Sequence, residues 1–311
     1  VHTILIGVDG GGVYAIDKDT KKAHLLMNTK DDTDTYLRGN GVYAVTRDDQ
    51  GNIWIGSYTG GVSVAILLKH PISILAHEKG NTHSLISNNV NDIEENPDGN
   101  QWFATDDGIS IRNTLSGTWK HVLKEIVTIS LCTSGNGNVW VGTYGDGVYL
   151  LDNNGRVLRH LTKQQGQLTT NYIFSVRQDM EGDLWIGGLD GCLIMFEKEK
   201  GSRQSFDVNW VQSIEPIDRN RVAVATVNGF FLVDKHTGNI QHYANSQEFH
   251  NQNVSAYIIS MLFNDDGTVW LGTEGGGLNL YDMKNRTVKT FTVQEGLPSN
   301  DISVSYTHLR A

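Results

Sequence analysis

Residues 137–152 read GNVWVGTYGDGVYLLD, and this stretch decides the fold because the chain repeats it. A glycine-rich loop can cradle a phosphate, but that site needs a helix N-terminus after the loop, and here another strand-like run follows. Close copies of the pattern start at Gly51, Gly99, Gly182 and Gly267. Two weaker copies start at Thr3 and Arg221. Since one ligand would not need seven such loops, we interpret the motif as a structural unit.

The spacing of the copies predicts the architecture. The tryptophan position recurs at steps of 49, 48, 38, 45, 38 and 47 residues, and repeats of about 40 to 50 residues are typical of propellers. Each copy divides into four short strand-like runs separated by Asp- and Gly-containing turns. The sequence therefore predicts an all-β, seven-bladed β-propeller with four-stranded antiparallel blades. Five copies keep the tryptophan, at Trp54, Trp102, Trp140, Trp185 and Trp270.

Glycine two residues after the tryptophan indicates that neighbouring blades approach closely. The strand-like runs around it are apolar on both faces, which is expected where both faces of a sheet are covered. We expect the tryptophans to pack between sheets and these glycines to be structural: Gly56, Gly142, Gly187 and Gly272.

The two ends of the chain indicate how the ring closes. The sequence opens in the second strand of a unit and ends just after a first strand, so we predict that residues 301–305 pair beside residues 3–7. Residues 1–304 are then one propeller. Residues 305–311, SYTHLRA, do not match the repeat and are assigned to a separate tail.

Composition argues against several classes of function. Acidic residues outnumber basic ones 35 to 25, and without a basic patch this disfavours nucleic acid. No apolar run approaches the ~18 residues of a membrane span, so no membrane contact is expected of this domain. Neither a metal-binding H-E-x-x-H motif, a nucleophile elbow nor a calcium loop occurs, so we predict no catalytic residue, metal or cofactor. The pairing of Cys132 and Cys192 stays open.

The repeat resembles the two-component regulator propeller repeat, whose signature is close to D-x-x-G-x-L-W-I-G-T-x-x-G-G-L-x-x-x-D. The string EGLPSNDI, residues 295–302, resembles a blade-boundary segment of such proteins. The resemblance implies the periplasmic sensor domain of a hybrid two-component sensor histidine kinase of the Bacteroidetes type. Such receptors are inner-membrane proteins that detect oligosaccharides and signal to the transcription of glycan-utilisation genes.

The same resemblance implies partners and the absence of chemistry in this domain. A second propeller, an immunoglobulin-like domain and kinase modules would lie in the same polypeptide, and the full-length receptor would be a homodimer. This chain would not itself be an enzyme.

The loops that differ between copies are the candidate ligand site. Connections from fourth to first strands and from second to third strands meet at one end of every blade, where amide and aromatic groups suit sugar hydroxyls and ring faces. The alternative is that each Asn holds a turn and each aromatic ring packs between blades. The candidate ligand-binding residues are Tyr58, Asp106, Tyr144, Asn171, Tyr172, Asn209, Trp210, Asn253, Tyr257 and Glu274.

Two other functions remain open from the sequence. A propeller enzyme, a lyase or hydrolase acting on a polysaccharide or lactone, would need two or more histidines or acids with a metal at the funnel. A protein-interaction scaffold would present an apolar patch in place of a polar funnel.

Overall fold

The computed structural model describes residues 3–29, 37–48, 51–65, 73–198, 200–245, 249 and 255–306. Seven four-stranded antiparallel sheets are arranged as blades around a central axis, as predicted. The described residues include one short 3₁₀ helix, Val293–Glu295. None of the helices in these ranges is long and apolar enough to cross a membrane.

In blades 2 to 7 the strands follow one another in chain order from the axis outward, and in blade 1 the first three strands of the chain do so outside an innermost strand from the end of the chain. Blade 1 contains β1 (Thr3–Val8), β2 (Gly12–Asp17) and β3 (Ala23–Met27), and blade 2 contains β4 (Val42–Arg47), β5 (Ile53–Ser57), β6 (Gly61–Ala65) and β7 (Ser73–Leu75). Blade 3 contains β8 (Val90–Glu95), β9 (Asn100–Thr105), β10 (Gly108–Asn113) and β11 (Trp119–Val122). Blade 4 contains β12 (Thr128–Thr133), β13 (Val139–Thr143), β14 (Val148–Leu151) and β15 (Val157–Leu161). Blade 5 contains β16 (Ile173–Gln178), β17 (Leu184–Gly188), β18 (Leu193–Phe196) and β19 (Arg203–Phe206). Blade 6 contains β20 (Val211–Pro216), β21 (Arg221–Thr226), β22 (Gly229–Asp234) and β23 (Ile240–Tyr243). Blade 7 contains β24 (Ile258–Phe263), β25 (Thr268–Thr273), β26 (Leu278–Asp282) and β27 (Thr287–Phe291).

The last strand, β28 (Ile302–Tyr306), completes blade 1 as its innermost strand. It pairs antiparallel with β1 through Val8–Ile302 and Gly7–Val304, which confirms the predicted ring closure. Strand β28 also includes Ser305 and Tyr306, the first two residues that the sequence assigned to the tail; residues 307–311 lie outside the described residues.

A buried cluster of apolar side chains lies between each pair of neighbouring blades, seven in all among the described residues. The five repeat tryptophans are all buried, and Trp102, Trp185 and Trp270 are at most 1% exposed. Burial of ring area of this size is the main stabilising contribution of each repeat.

In blades 2 and 5 an aspartate six residues before the tryptophan anchors the indole. The carboxylate of Asp48 accepts the Trp54 Nε1–H at 2.9 Å, and that of Asp179 accepts the Trp185 Nε1–H at 3.1 Å. The same carboxylates accept backbone N–H groups of the turn, such as that of Asn52 at 2.8 Å. In these two blades the carboxylate thus ties the first hairpin turn to the buried ring.

The glycine after the tryptophan lies against the next blade. A Cβ on Gly187 would stand 2.4 Å from Val211 Cγ1, and one on Gly142 would stand 2.9 Å from Ile173 Cγ2. Val211 and Ile173 belong to the innermost strands of the following blades. Only a residue without a side chain allows this approach.

The innermost strands are sheet edges, and the preceding blade satisfies their unpaired N–H groups. The N–H of Leu131 donates to Asp92 Oδ2 at 2.7 Å, and the N–H of Val176 donates to Ser130 Oγ at 3.2 Å. The N–H of Ile214 donates to Ser175 Oγ at 3.1 Å. A belt of hydroxyl and carboxylate side chains thereby links blades 3 to 6 around the axis.

Blades 5 and 6 are also joined by a buried ion cluster at the end of the turns. Lys235 Nζ lies 2.8 Å from Asp179 Oδ2, 2.7 Å from Asp183 Oδ2 and 2.9 Å from Glu181 Oε2. The Lys235 side chain is 2% exposed and that of Asp179 1%. Burial alone would lower the pKa of Lys235, but the three carboxylates outweigh it and raise the pKa, so the lysine stays charged.

Candidate ligand site at the mouth of the central channel

The seven innermost strands enclose a channel along the propeller axis with a volume of about 820 Å³. Its wall comes from one strand of every blade: β4, β8, β12, β16, β20, β24 and β28. A cavity of this size is large enough for a small oligosaccharide.

A β-bulge at the second residue of every innermost strand sets which side chains enter the channel. In β4, for example, the register with β5 shifts between Val42 and Ala44, which leaves Tyr43 as the extra residue. A bulge re-aims the extra side chain and bends the strand. The seven bulge residues all line the channel: Tyr43, Asn91, Ile129, Phe174, Gln212, Ile259 and Ser303.

Sequence reasoning did not place these seven residues in the candidate ligand site. A bulge displaces the two-residue alternation by one position, so periodicity alone assigns the wrong face. The signal available was a polar or aromatic residue at the second position of five of the seven innermost strands; Ile129 and Ile259 occupy it in the other two.

The predicted rim aromatics lie around the channel mouth, the end where the loops of all blades meet. Tyr58, Tyr144, Tyr172 and Trp210 are between 45% and 48% exposed. Each touches or adjoins a residue of the channel wall. The ring of Tyr58 lies 5.3 Å from that of Tyr43, and the Gln212 Nε2 amide donates to the Trp210 carbonyl at 3.4 Å.

Blades 4 to 6 carry what we name the aromatic arc: Tyr144, Tyr172, Phe174 and Trp210. The Tyr144 and Tyr172 rings meet edge to face at 4.9 Å, and Tyr144 lies 6.2 Å from Phe174. Trp210 has a φ of 57°, a left-handed conformation that costs a bulky residue free energy. The fold therefore holds an exposed indole at the mouth in a strained backbone position.

Blades 7 and 1 carry an acidic arc: Glu274, Asp301 and Asp9, all three of which line the channel. Asp9 follows Val8 and Asp301 precedes Ile302, and those two residues are partners across β1 and β28. The Asp301 Oδ1 accepts the Gly275 N–H at 2.7 Å, which brings Glu274 next to it along the rim.

The carboxylates of the acidic arc contribute to a raised pKa in the two tyrosines beside them. Burial, together with the Asp9 and Asp301 carboxylates, raises the pKa of Tyr43. Burial and the Glu274 carboxylate raise the pKa of Tyr257, whose carbonyl accepts the Glu274 N–H at 3.0 Å. Both phenols therefore stay neutral hydrogen-bond donors at the mouth.

The remaining predicted polar residues hold their own loops. Asn171 Oδ1 accepts the Lys163 N–H at 2.8 Å, and Asn209 Nδ2 donates to Asp207 Oδ1 at 3.2 Å. The Asp106 carboxylate accepts both Asn89 Nδ2 at 2.8 Å and Asn91 Nδ2 at 2.9 Å. These contacts match the alternative in which such groups fix turns. Asn253 lies outside the described residues.

Deeper in the channel a single guanidinium faces three carboxylates. Arg177 Nη1 donates to Ser130 Oγ at 3.2 Å and to the Leu131 carbonyl at 2.9 Å. Burial would lower its pKa, but Asp92, Glu94 and Glu215 outweigh that effect and raise it. Burial raises the pKa of both Asp92 and Glu94, more than Arg177 lowers them.

Groups for chemical catalysis are sparse in the part of the chain that the structure describes. No histidine among those residues lines the channel, and no group of three His, Cys, Asp or Glu there is arranged to hold a metal ion. Cys132 and Cys192 are free thiols, and burial raises the pKa of Cys132 to about 11.

The seven blades and the open channel along their axis define the class of fold, a β-propeller with an aromatic and acidic mouth. The family model described as two component regulator propeller matches residues 36–59 and 167–190, which include Trp54 and Trp185. These two segments are thus two component regulator propeller repeats, which confirms the resemblance drawn from the sequence. No curated protein sequence matches the chain.

Solved structures share the fold at low sequence identity. The extracellular domain of a hybrid two component system of B. thetaiotaomicron aligns with a TM-score of 0.59 and 16% identity, covering 96% of this chain and 56% of that one. The chain therefore spans about half the length of that domain. A virginiamycin B lyase of Staphylococcus aureus aligns with a TM-score of 0.62 and 15% identity, covering 88% of this chain and 90% of that one.

Proposed function

We propose that this chain is a ligand-sensing propeller of a two-component receptor, exposed outside the cytoplasm and in the periplasm of its host. Two kinds of observation support this role. Two segments match the two component regulator propeller model, and the fold is shared with the extracellular domain of a hybrid two component system. In such a receptor this domain binds and the kinase modules elsewhere in the polypeptide carry out the chemistry.

The ligand we propose is an oligosaccharide bound at the channel mouth. The observation that carries this proposal is the set of exposed aromatic rings at the rim of a channel of about 820 Å³. Tyr144, Tyr172 and Trp210 offer faces for pyranose rings, and the Gln212 side chain beside Trp210 offers an amide for hydroxyl groups.

Signalling would follow from a difference in affinity between two receptor states. Bound ligand changes the geometry of a homodimer built with the second propeller and the immunoglobulin-like domain, and only a ligand that binds one state better can shift that equilibrium. The output would be transcription of genes for using the sensed glycan.

A thermal-shift screen of the domain against neutral, acidic and amino oligosaccharides tests the proposal, because a bound ligand raises the apparent melting temperature. We expect at least one class to bind, and Trp210→Ala and Tyr144→Ala to abolish or strongly weaken that binding. Leu115→Ala is the matched control, since Leu115 is 92% exposed on the β10–β11 turn, away from the channel. A panel without any hit, or hits indifferent to both rim variants, contradicts the proposal.

A lyase is the second candidate, because the alignment with the virginiamycin B lyase structure covers 88% of this chain and 90% of that one. Incubating each oligosaccharide hit, and a cyclic lactone peptide, with the domain distinguishes the two functions. Cleavage that exceeds the no-protein control and is lost on substitution of a mouth residue would favour the enzyme over the sensor.

A further inference from the structure

The mouth of the channel is divided by charge. The aromatic arc occupies blades 4 to 6, and the acidic arc of Glu274, Asp301 and Asp9 occupies blades 7 and 1 on the far side of the ring. Among the described residues that line the channel, Arg177 is the one basic side chain, and it faces Asp92, Glu94 and Glu215 deeper inside. Among the described lining residues, the carboxylates at the mouth therefore have no basic side chain beside them.

The repeat itself does not require an acid at the position of Asp9. Asp9 and Asp301 stand beside each other at the end of the β1–β28 pair, where like charges destabilise the pairing of strands. In blade 4 the residue that corresponds to Asp9 is Tyr144, so the repeat accepts an uncharged residue there.

The rings beside the acidic arc complete a site for a cation. Tyr43 and Tyr58 lie 5.3 Å apart next to Asp9, and Tyr257 lies next to Glu274. An ammonium group gains both from carboxylates and from the faces of aromatic rings. A carboxylate-bearing ligand would instead meet repulsion from three acids in a partly enclosed space.

We propose that the mouth selects an oligosaccharide that carries a protonated amine, an unacetylated amino sugar, and discriminates against uronic acids. One sugar ring stacks on the aromatic arc while the amine of another lies among Glu274, Asp301 and Asp9. This inference rests on the proposed function, since it names the charge of the ligand at the same mouth.

Isothermal titration calorimetry at ~150 mM salt tests it, where nonspecific attraction to an acidic protein is screened. The probes are a β1,4-linked glucosamine trisaccharide, its fully N-acetylated counterpart and trigalacturonate. The first two differ only in the charge and acyl group of the nitrogen. We expect the amine form to bind at least about fivefold tighter than the acetylated form, and trigalacturonate to bind weakest.

Glu274→Gln separates this specific effect from net charge, because no described side-chain hydrogen bond of the fold depends on the Glu274 carboxylate. We expect it to weaken binding of the amine form about three- to fivefold and to leave the acetylated form unchanged. Asp265→Asn is the matched control: it also removes one negative charge, and Asp265 is exposed on the turn between β24 and β25, at the end of the blade opposite the mouth.

The possible outcomes distinguish the two proposals. Equal affinity for the amine and acetylated forms, tighter binding of trigalacturonate, or equal effects of Glu274→Gln and Asp265→Asn would overturn the amine preference. If the acetylated trisaccharide or trigalacturonate binds and Trp210→Ala weakens that binding, the sensor role stands. If no probe binds and the wider panel is silent, both proposals fail together.

Discussion

The indole Nε1 of Trp102 and the amide Nδ2 of Asn96 are both buried, and among the described residues neither has a hydrogen-bond partner. In blades 2 and 5 the residue six places before the tryptophan is an aspartate, and its carboxylate accepts the indole N–H. Asn96 uses its Oδ1 for the turn, where it accepts the N–H of Asn100 at 3.0 Å. In blade 3 the Trp102 indole N–H therefore has the Asn96 amide, another donor, at the position where blades 2 and 5 provide a carboxylate acceptor.

Asn96→Asp should stabilise the protein, because a carboxylate keeps the turn contacts and supplies the acceptor that Trp102 lacks. We expect a gain of about 1 kcal/mol in the free energy of unfolding, measured by urea denaturation at neutral pH. The reverse change in blade 2, Asp48→Asn, removes the acceptor from Trp54 and should cost about 1 kcal/mol. If both variants changed the free energy of unfolding in the same direction, the hydrogen bond to the indole would not be the cause of the change.

Lys235→Met should destabilise the protein strongly, because it leaves Asp179 and Asp183 buried near each other without their cation. Breaking a buried ion pair by removing one partner costs about 3–5 kcal/mol. Chemical denaturation at neutral pH would measure the loss. Lys200→Met is the control: the Lys200–Glu197 pair is on the surface, with the lysine side chain 76% exposed, and should matter by about 0.5 kcal/mol or less.

Glu94→Gln should raise the melting temperature at neutral pH and have less effect in acid. Folding raises the pKa of Glu94 above its ordinary 4.5, mainly through burial, so folding favours its protonated form. The stability that this group contributes is present below pH 4.5 and is lost as the pH rises through the raised pKa. Gln keeps an oxygen for the Thr133 N–H, which Glu94 accepts at 3.1 Å, and carries no charge.

Glu295→Gln should show the opposite pH trend and serves as the control for that experiment. Hydrogen bonds from Thr292 lower the pKa of Glu295, so its contribution is present above pH 4.5 and is lost as the pH falls. The variant should therefore differ from the parent at neutral pH and converge with it in acid. Parallel pH profiles for the two variants would contradict the assignment of the Glu94 shift to burial in the channel.

Gly187→Ala should weaken the contact between blades 5 and 6, because the added Cβ would stand 2.4 Å from Val211 Cγ1 and within 3 Å of two more atoms of the same side chain. Overpacking of this kind costs about 1–3 kcal/mol, which thermal and urea denaturation would show. Gly135→Ala is the control, since a Cβ there meets nothing within 4 Å. That variant should be neutral or slightly stabilising, because alanine restricts the unfolded chain.

Much of the fold follows from local sequence that recurs. The Trp-x-Gly run, the Asp and Gly turns and the seven copies predicted the blades, and the position of the chain ends within a repeat predicted the pairing of β1 with β28. These features depend on residues a few places apart, whose spacing is visible in one copy and repeated in the next. The rim aromatics Tyr58, Tyr144, Tyr172 and Trp210 could be named for the same reason, since the loops that carry them are fixed by the repeat.

The tertiary structure decided which side chains meet. Asp9 reaches Asp301 only because the ring closes, and Arg177 reaches Asp92 and Glu94 only because blades 3 to 5 pack around one axis. Partners of this kind are whole repeats apart, so no periodicity marks them. The bulge in each innermost strand adds a second reason: a one-residue shift in register turns a side chain from a packed face into the channel, and this shift depends on the neighbouring strand. The sequence alone thus determined the scaffold and the place of the candidate site, and only the packing of the blades determined the site's charge and shape.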